Sequence, residues 1–323
     1  MDGLGPSLFV WVTSHDETGP FSGLIARSTP CPASPYRAGL RYTDPMTALP
    51  TLHPNARVDL HMHSDRSDGR FAPEHVLKLA GESGLDVIAL TDHDLPAQLP
   101  AGPQQVAGNT VHVLHAVEVS GWHGDQELHL LVYFPGDMPE DFRLFCTELA
   151  KHRADRYERA LENLALEGVT PPDQASRDGE RAITRLHLAQ ALVDAGHADN
   201  LRQAFGKWVG NHTAKVPHVT LSMADAIARA REAGGLTSWA HPSLDQARAY
   251  LPELVELGVQ GVEVFRPRVG SKTRRELGRF SRKNSIVATG GSDWHGWYRH
   301  ELGELSVQAQ QLGGFFQALQ ALA

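Results

Sequence analysis

The sequence predicts an α/β barrel of short parallel strands that a helical segment interrupts. From residue 57 onward, short apolar runs alternate with amphipathic helical patterns, which favours parallel strands joined by helices. Between about residues 141 and 219 the strand pattern disappears and helical spacing replaces it, as at Tyr157, Leu161 and Leu164. A third observation comes from histidine, because many of the 18 histidines cluster around the ends of the apolar runs.

Seven apolar runs have lengths near that of a typical strand. They are Arg57–Leu60, Val87–Leu90, Val111–Val119, Leu128–Phe134, Gly235–Ala240, Gly261–Phe265 and Ile286–Thr289. Amphipathic patterns predict helices over Pro73–Ser83, Ser222–Ala233, Leu251–Leu257 and Lys272–Lys283. Pro73 suits the first turn of its helix, and Ser222 is a favourable N-cap.

The chain divides into three predicted parts. Residues 1–54 mix Gly, Pro, Ser and Thr with weak periodicity, which predicts a poorly ordered N-terminal extension. Residues 55–140 and 220–323 contain the strand and helix alternation of the barrel. Residues 141–219 form the helical insertion between two barrel strands.

Composition excludes several classes of protein. A chain of 323 residues with 41% hydrophobic content can bury a substantial core, and a formal charge of −8 disfavours binding to duplex DNA. Cys31 and Cys146 are the two cysteines, too far apart for a cysteine-rich zinc site, and they argue against a disulfide framework. Neither a membrane helix nor a secretory signal is recognisable, so we expect a cytoplasmic protein without membrane partners.

Residues that can bind metals follow nearly every predicted strand. In parallel α/β barrels the carboxyl ends of the strands converge on one face, so these side chains are expected in one cavity. Nitrogen and oxygen donors without thiolates favour manganese, iron or zinc. The candidates are His61, His63, Asp92, His93, Glu118, His129, His241, Asp293 and His295.

Simpler interpretations exist for individual members of this set. Taken alone, His61 and His63 could lie on an exposed strand edge, and His241 could be an ordinary core histidine. We interpret Asp92 as a carboxylate that orients ligands instead of binding metal itself. Asp65 and Asp94 are interpreted as solvated loop charges.

Taken in order, the motifs resemble those of the PHP (polymerase and histidinol phosphatase) family over about residues 57–300. The motifs are His61-x-His63 with Ser67-Asp68-Gly69, Leu90-Thr91-Asp92-His93-Asp94, Val117-Glu118, Ala240-His241-Pro242 and Gly291-Ser292-Asp293-Trp294-His295. The resemblance implies a distorted (βα)7 TIM-like barrel with two or three divalent metals at one face. Manganese is the expected metal, with Fe²⁺ or Zn²⁺ as alternatives.

The resemblance also implies roles for the candidate ligands. Glu118, Asp293 and His295 are the expected catalytic residues in phosphoester hydrolysis by metal-activated hydroxide. Glu118 is expected to bridge two ions. The implied ligand sets are His61, His63, Glu118 and Asp293 for one ion, Glu118, His129 and His241 for a second, and Asp68, His93 and His295 for a third.

The insertion resembles the branch of this family that acts on nucleoside 3′,5′-bisphosphates and on the 5′ ends of short RNA. Arg153 and Arg156 share a helix face, and with Arg185 and His187 they are the expected phosphate-binding residues. The alternative is a solvated helix whose arginines pair with neighbouring acids of the same helix. Those acids are Asp155, Glu158 and Glu162.

The expected reaction is removal of the 3′-phosphate from a nucleoside 3′,5′-bisphosphate. A 5′–3′ exoribonuclease acting on short single-stranded RNA and a histidinol phosphatase are the enzymatic alternatives. The alternative from another class is a PHP module that has lost its metals and serves as a scaffold.

Overall fold

The computed structural model describes residues 51–173, 179–297 and 300–323. Of the predicted N-terminal extension, residues 1–54, all but the last four lie outside the described residues. The described strands are β1 Arg57–Met62, β2 Val87–Leu90, β3 Gly102–Val106, β4 Asn109–His123, β5 Gln126–Tyr133, β6 Leu236–Trp239, β7 Gly261–Phe265, β8 Val287–Gly290 and β9 Val307–Gln308.

Helices connect most of these strands. Pro73 stands in the first turn of α1, and the Ser222 hydroxyl accepts a hydrogen bond from the Asp225 N–H at 3.0 Å, so both predicted helix starts are confirmed. The described α-helices are α1 Pro73–Glu82, α2 Glu140–Ala165, α3 Arg185–Asp194, α4 Leu201–Ala204, α5 Met223–Glu232, α6 Leu244–Glu256, α7 Ser271–Lys283 and α8 Gly313–Gln320.

The strands form a nearly closed, barrel-shaped sheet in the order β8-β7-β6-β5-β4-β2-β1-β9, with β3 paired to β4. The loop after β8 closes the gap to β1, because the Asp293 N–H donates to the His61 carbonyl at 2.8 Å. Gly291 permits this approach, since a Cβ there would lie 2.4 Å from the His61 backbone nitrogen. The predicted α/β barrel is confirmed.

The expectation that all barrel strands run parallel is wrong for β5. This strand pairs antiparallel with both β4 and β6. Its amino-terminal half therefore lies at the end of the barrel where the parallel strands finish, and His129 reaches that end from within β5. Three elements were not predicted at all, namely β3, β9 and α8.

Apolar side chains fill the barrel and its outer layer. Leu60 and Tyr133 from the sheet pack with Phe315 of α8, and all three are fully buried. Burial of each such side chain contributes about 1.5–3 kcal/mol. A second cluster lies between the sheet and the helices α2, α5, α6 and α7.

The helical region that follows α2 has a hydrophobic cluster of its own. Tyr157 and Leu164 of α2 pack there with Leu188 of α3 and with Trp208. The spacing of Tyr157, Leu161 and Leu164 on α2 thus corresponds to the face that this cluster covers. Among the described helices, none is long and apolar enough to cross a bilayer.

Candidate metal centre

The structure brings all nine predicted metal ligands together at one end of the barrel. His61, Glu118 and His129 lie within β1, β4 and β5. The others lie in the loops that follow β1, β2, β6 and β8, as the convergence of strand ends requires. Those loop residues are His63, Asp68, His93, His241, Asp293 and His295.

Glu118 stands at the middle of the cluster. Its carboxylate is 1% exposed, and its two oxygens face different sets of imidazole nitrogens. Such a carboxylate can join two cation positions. Oε1 lies 3.0 Å from His129 Nδ1 and 3.0 Å from His241 Nε2, and Oε2 lies 3.1 Å from His61 Nε2, 3.2 Å from His63 Nε2 and 3.4 Å from His93 Nδ1.

Two further carboxylates flank Glu118. Asp293 Oδ1 lies 3.4 Å from both His61 Nε2 and His63 Nε2. On the other side, Asp68 Oδ1 lies 3.2 Å from His295 Nε2. The centre therefore has an acidic group on each flank as well as in the middle.

Three groups of side chains have ligand atoms that all lie within 4.8 Å of one another. All three groups differ in part from the ligand sets that the family resemblance implies, since the group with His61 and Asp293 lacks Glu118. His93 lies with Glu118 as well as with Asp68, and His63 belongs to two groups. The groups are His61, His63 and Asp293; His93, Glu118 and His129; and His63, Asp68, His93 and His295.

Buried imidazole nitrogens without hydrogen-bond partners indicate that this set of donors fits divalent metals. His63 Nε2 and His93 Nδ1 are buried and have no hydrogen-bond partner among the described residues. His129 Nδ1 and His241 Nε2 face each other at 3.2 Å. Each unsatisfied buried group costs about 1–3 kcal/mol, and a cation between these lone pairs would remove that cost. Imidazole and carboxylate donors suit manganese, iron and zinc.

Charge in the metal-free centre is balanced by protons on histidine. Burial of the His63 ring disfavours its charged form, but the nearby carboxylates of Asp293 and Glu118, at 3.4 and 3.2 Å from Nε2, outweigh burial and raise the pKa of His63 to about 10. Burial is likewise outweighed at His129, where Glu118 raises the pKa to about 9. Metal binding therefore has to displace protons, which makes it pH-dependent.

A carboxylate that the sequence analysis missed supports two of the ligands. Glu263 of β7 is fully buried, its Oε1 lies 3.1 Å from His61 Nδ1, and its Oε2 accepts a hydrogen bond from the His241 N–H at 2.8 Å. The contact with Nδ1 leaves Nε2 of His61 to face the centre. An acidic residue between apolar neighbours in a short strand, Val262-Glu263-Val264, was the available signal.

Asp92 holds the loop that carries His63 and Asp68. It is buried and accepts hydrogen bonds from the Ser64 N–H at 2.8 Å, the Ser64 hydroxyl at 2.6 Å and the Ser67 hydroxyl at 2.6 Å. These contacts orient the loop. Asp92 is absent from the three groups of ligand atoms.

Backbone strain occurs at two of the ligands. His241 has a backbone φ of 34° and Asp293 a φ of 52°. Both values lie in the left-handed region, which residues other than glycine rarely adopt. The backbone N–H of His241 is held by Glu263 and that of Asp293 by the His61 carbonyl. Strain of this kind is typical of functional sites whose surroundings fix the geometry.

The predicted phosphate-binding arginines of α2 are buried against the barrel. Arg153 donates to Asp94 Oδ2 at 2.5 Å and to the Ser120 hydroxyl at 2.6 Å. Arg156 binds Glu127 through two hydrogen bonds, the shorter 2.7 Å. The interpretation of Asp94 as a solvated loop charge is wrong, because this side chain is buried in the ion pair with Arg153.

Arg153, Arg156 and Arg185 line one cleft that is partly open to solvent. Arg185 lies 3.7 Å from Glu127 Oε2, and Glu127 Oε1 lies 3.9 Å from His129 Nε2. One carboxylate therefore connects the cleft to the metal centre. No acidic side chain is among the described residues that line it.

His187 lies beside this cleft at the start of α3. Its Nδ1 accepts a hydrogen bond from the Thr184 N–H at 3.0 Å, and its Nε2 lies 3.2 Å from an Arg181 nitrogen. Burial, together with the charge of Arg181, lowers the pKa of His187 to about 4. The ring is therefore neutral near pH 7 and caps the helix.

A barrel that gathers imidazoles and carboxylates around a central buried carboxylate is typical of metal-dependent hydrolases. Comparison with known proteins narrows this class. The PHP domain matches residues 59–167. A 3′,5′-nucleoside bisphosphate phosphatase from Chromobacterium violaceum is 31% identical over 255 residues, which are 74% of this chain and 87% of that protein.

Two further comparisons agree. The 5′-3′ exoribonuclease Rnm of Escherichia coli is 28% identical over 248 residues, covering 73% of this chain and 84% of that protein. The crystal structure of a protein described as a metal-dependent phosphoesterase, from Bifidobacterium adolescentis, has the same fold, with a TM-score of 0.64 and 23% identity over 81% of this chain and 96% of that one. The chain belongs to the PHP domain family and is a hydrolase acting on phosphate esters.

Proposed function

We propose that the protein removes the 3′-phosphate from a nucleoside 3′,5′-bisphosphate. The observation that carries this proposal is the arginine-lined cleft beside the metal centre. A substrate with two phosphates needs a second anion site at some distance from the reacting phosphorus, and guanidinium groups bind phosphate with paired donors. The similarity to a 3′,5′-nucleoside bisphosphate phosphatase supports the same substrate class.

In this proposal residues 55–140 and 220–323 form the catalytic barrel and residues 141–219 bind the remote phosphate. Arg153, Arg156 and Arg185 line the cleft, and we assign the remote phosphate to this group of arginines. Arg185 begins α3 and lies 3.7 Å from Glu127 Oε2, at the point where the cleft meets the barrel. His187 then positions the start of α3 and with it Arg185.

The metal centre acts at the other phosphate. Bound divalent ions would acidify a water molecule and neutralise the charge that grows on the phosphate oxygens. His295 donates from Nδ1 to the Asp293 carbonyl at 2.9 Å, which leaves Nε2 to face Asp68 and the centre. Among the three carboxylates of the metal centre, that of Asp293 is the most exposed, at 39%. We assign to Asp293 the uptake of the proton from the attacking water.

A 5′–3′ exoribonuclease is the second candidate, since the Rnm relative matches over nearly the same length. The same two sites would serve it, with the cleft holding the terminal phosphate and the centre acting on the first phosphodiester.

The experiment compares four substrates with manganese-loaded protein. They are adenosine 3′,5′-bisphosphate, adenosine 3′-monophosphate, histidinol phosphate and a 5′-phosphorylated RNA oligonucleotide. Release of adenosine 5′-monophosphate from the bisphosphate, at the highest kcat/KM of the four substrates, supports the proposal. Stepwise release of nucleotides from the RNA at a higher kcat/KM favours the exoribonuclease. Preference for histidinol phosphate overturns both.

Arg185→Ala tests the cleft itself. We expect a KM about tenfold or more higher for the bisphosphate and an almost unchanged KM for the 3′-monophosphate, because a charged hydrogen bond contributes about 1.5–3 kcal/mol. Arg248→Ala, which removes an exposed arginine from α6, is the matched control. Equal losses on both substrates would assign Arg185 a structural role.

A further inference from the structure

Trp297 is an exposed aromatic side chain at the rim of the metal centre. Its side chain is 54% exposed, whereas Trp208, Trp239 and Trp294 are buried and Trp122 is half-buried. A single exposed aromatic side chain is ordinary on a protein surface, but its position beside a metal-ligand residue, in a protein whose relatives act on nucleotides, calls for a physical explanation.

A hydrogen bond fixes the polar end of this ring. Trp297 Nε1 donates to the Asp68 backbone carbonyl at 2.7 Å. The carboxylate of the same Asp68 lies 3.2 Å from His295 Nε2 in one of the groups of metal-ligand atoms. The hydrogen bond therefore holds the indole against a residue of the metal centre, and the two faces of the ring remain available for contact.

The local backbone keeps Trp297 on the surface. Gly296 has φ of +74°, and a Cβ on it would lie 2.9 Å from the Phe71 ring. Phe71 already stacks on Trp294, with ring centroids 5.8 Å apart and planes 11° apart. The interior position is thus occupied, and the turn through Gly296 directs the chain so that the next indole lies outside. No aromatic ring of a described residue stacks on Trp297.

The second phosphate site is close to the same residue. Glu127, which binds Arg156 of the cleft, lies 3.9 Å from His129 Nε2. The ring of His129 lies 4.9 Å from that of His93, and His93 Nε2 lies 3.7 Å from Asp68 Oδ2. The cleft and the indole therefore both border the metal centre. A nucleotide that places one phosphate at the metals and one in the cleft would have its base outside both sites, toward the rim that Trp297 occupies.

We propose that Trp297 stacks on the nucleobase of the substrate and so selects nucleotides over other bisphosphates. This inference rests on the proposed function and adds the recognition of the base. Stacking suits any purine or pyrimidine because every base has a π face, and the loss of one stacking partner weakens binding by about tenfold. Trp297 thereby acts on substrate binding, without a part in the hydrolytic step.

The test compares two bisphosphates that differ only in the base. Wild-type protein, Trp297→Ala and Trp297→Phe, all manganese-loaded, are assayed on adenosine 3′,5′-bisphosphate and on ribose 3,5-bisphosphate. We expect Trp297→Ala to raise KM for the adenosine compound about tenfold and to leave KM for the ribose compound nearly unchanged. Trp297→Phe should retain most of the affinity, because a phenyl ring still stacks.

A binding measurement separates this inference from the proposed function. Adenosine 5′-monophosphate is titrated into wild-type protein, Trp297→Phe and the control Trp122→Phe while tryptophan fluorescence is followed. Saturable quenching that persists in Trp122→Phe and disappears in Trp297→Phe supports stacking, even if the wild type hydrolyses no bisphosphate. Quenching that is unchanged in Trp297→Phe, or equal KM increases on both bisphosphates, overturns the inference.

Discussion

Glu118→Gln is the substitution that changes the metal centre most with the least change of shape. Glutamine occupies nearly the same volume but carries no charge and offers one acceptor oxygen instead of two. Glu118 contacts five imidazoles within 3.4 Å, with two on one oxygen and three on the other. An amide cannot keep both sets of contacts.

The magnitude follows from the position of the carboxylate. Loss of a group that only supports a metal ligand costs about 10- to 100-fold in metal affinity. Glu118 faces the centre directly and joins two of its sides, so its loss should exceed about 100-fold in affinity for at least one ion. kcat should fall by at least as much, because the reaction depends on charge that the ions supply.

The assay is manganese titration by calorimetry, followed by phosphate release under saturating substrate. Glu148→Gln is the control, because Glu148 lies on the exposed surface of α2 in a pair with Lys151. Circular dichroism of the metal-free variant should match the wild type, since the imidazoles can lose protons when the carboxylate is removed. Near-normal metal affinity and turnover in Glu118→Gln would refute the bridging role.

Three further predictions concern buried groups that are not among the candidate metal ligands. Glu263→Gln should weaken manganese binding about 10- to 100-fold in calorimetry, because it withdraws the charge that orients His61; unchanged affinity would contradict this. Arg153→Met should lower the free energy of unfolding in urea by about 3–5 kcal/mol, since it leaves Asp94 buried and unpaired, and Asp94→Asn in addition should recover part of the loss. Burial lowers the pKa of His115 below 6.5, so the folded state with the neutral ring is fully stable above pH 6.5 and loses stability as the pH falls further. The Tm of His115→Phe should therefore fall less than that of the wild type between pH 7.5 and pH 5.5. Equal decreases of Tm in the two proteins would refute this.

The barrel was predictable because its strands are short apolar runs that end in chemically distinctive residues. The direction of β5 was not, because an apolar pattern is the same whichever way a strand runs. β3 was missed for a different reason: Gly102-Pro103-Gln104-Gln105 has no apolar alternation, and the strand exists through antiparallel pairing with β4. Tertiary pairing there overrides local preference.

The metal ligands were predictable one by one from their motifs, but their supports were not. Glu263 lies 202 residues from His61 along the chain, and Asp94 lies 59 residues from Arg153. Such pairs depend on how distant elements meet, which no local spacing records. For the same reason, the sequence indicated acids of α2 itself as alternative partners of Arg153 and Arg156, whereas the described contacts are with Asp94 and Glu127 of the barrel.

Metal stoichiometry tests the central claim most directly. Protein freed of metal and then titrated with manganese at pH 8 would be measured by calorimetry, with the bound metal counted by mass spectrometry after removal of the excess. Binding of two or three ions per chain, accompanied by proton release and by the appearance of phosphate-ester hydrolysis, is the predicted result. Binding of no ion, or hydrolysis that is unaffected by complete metal removal, would contradict the assignment of this cluster as the catalytic centre.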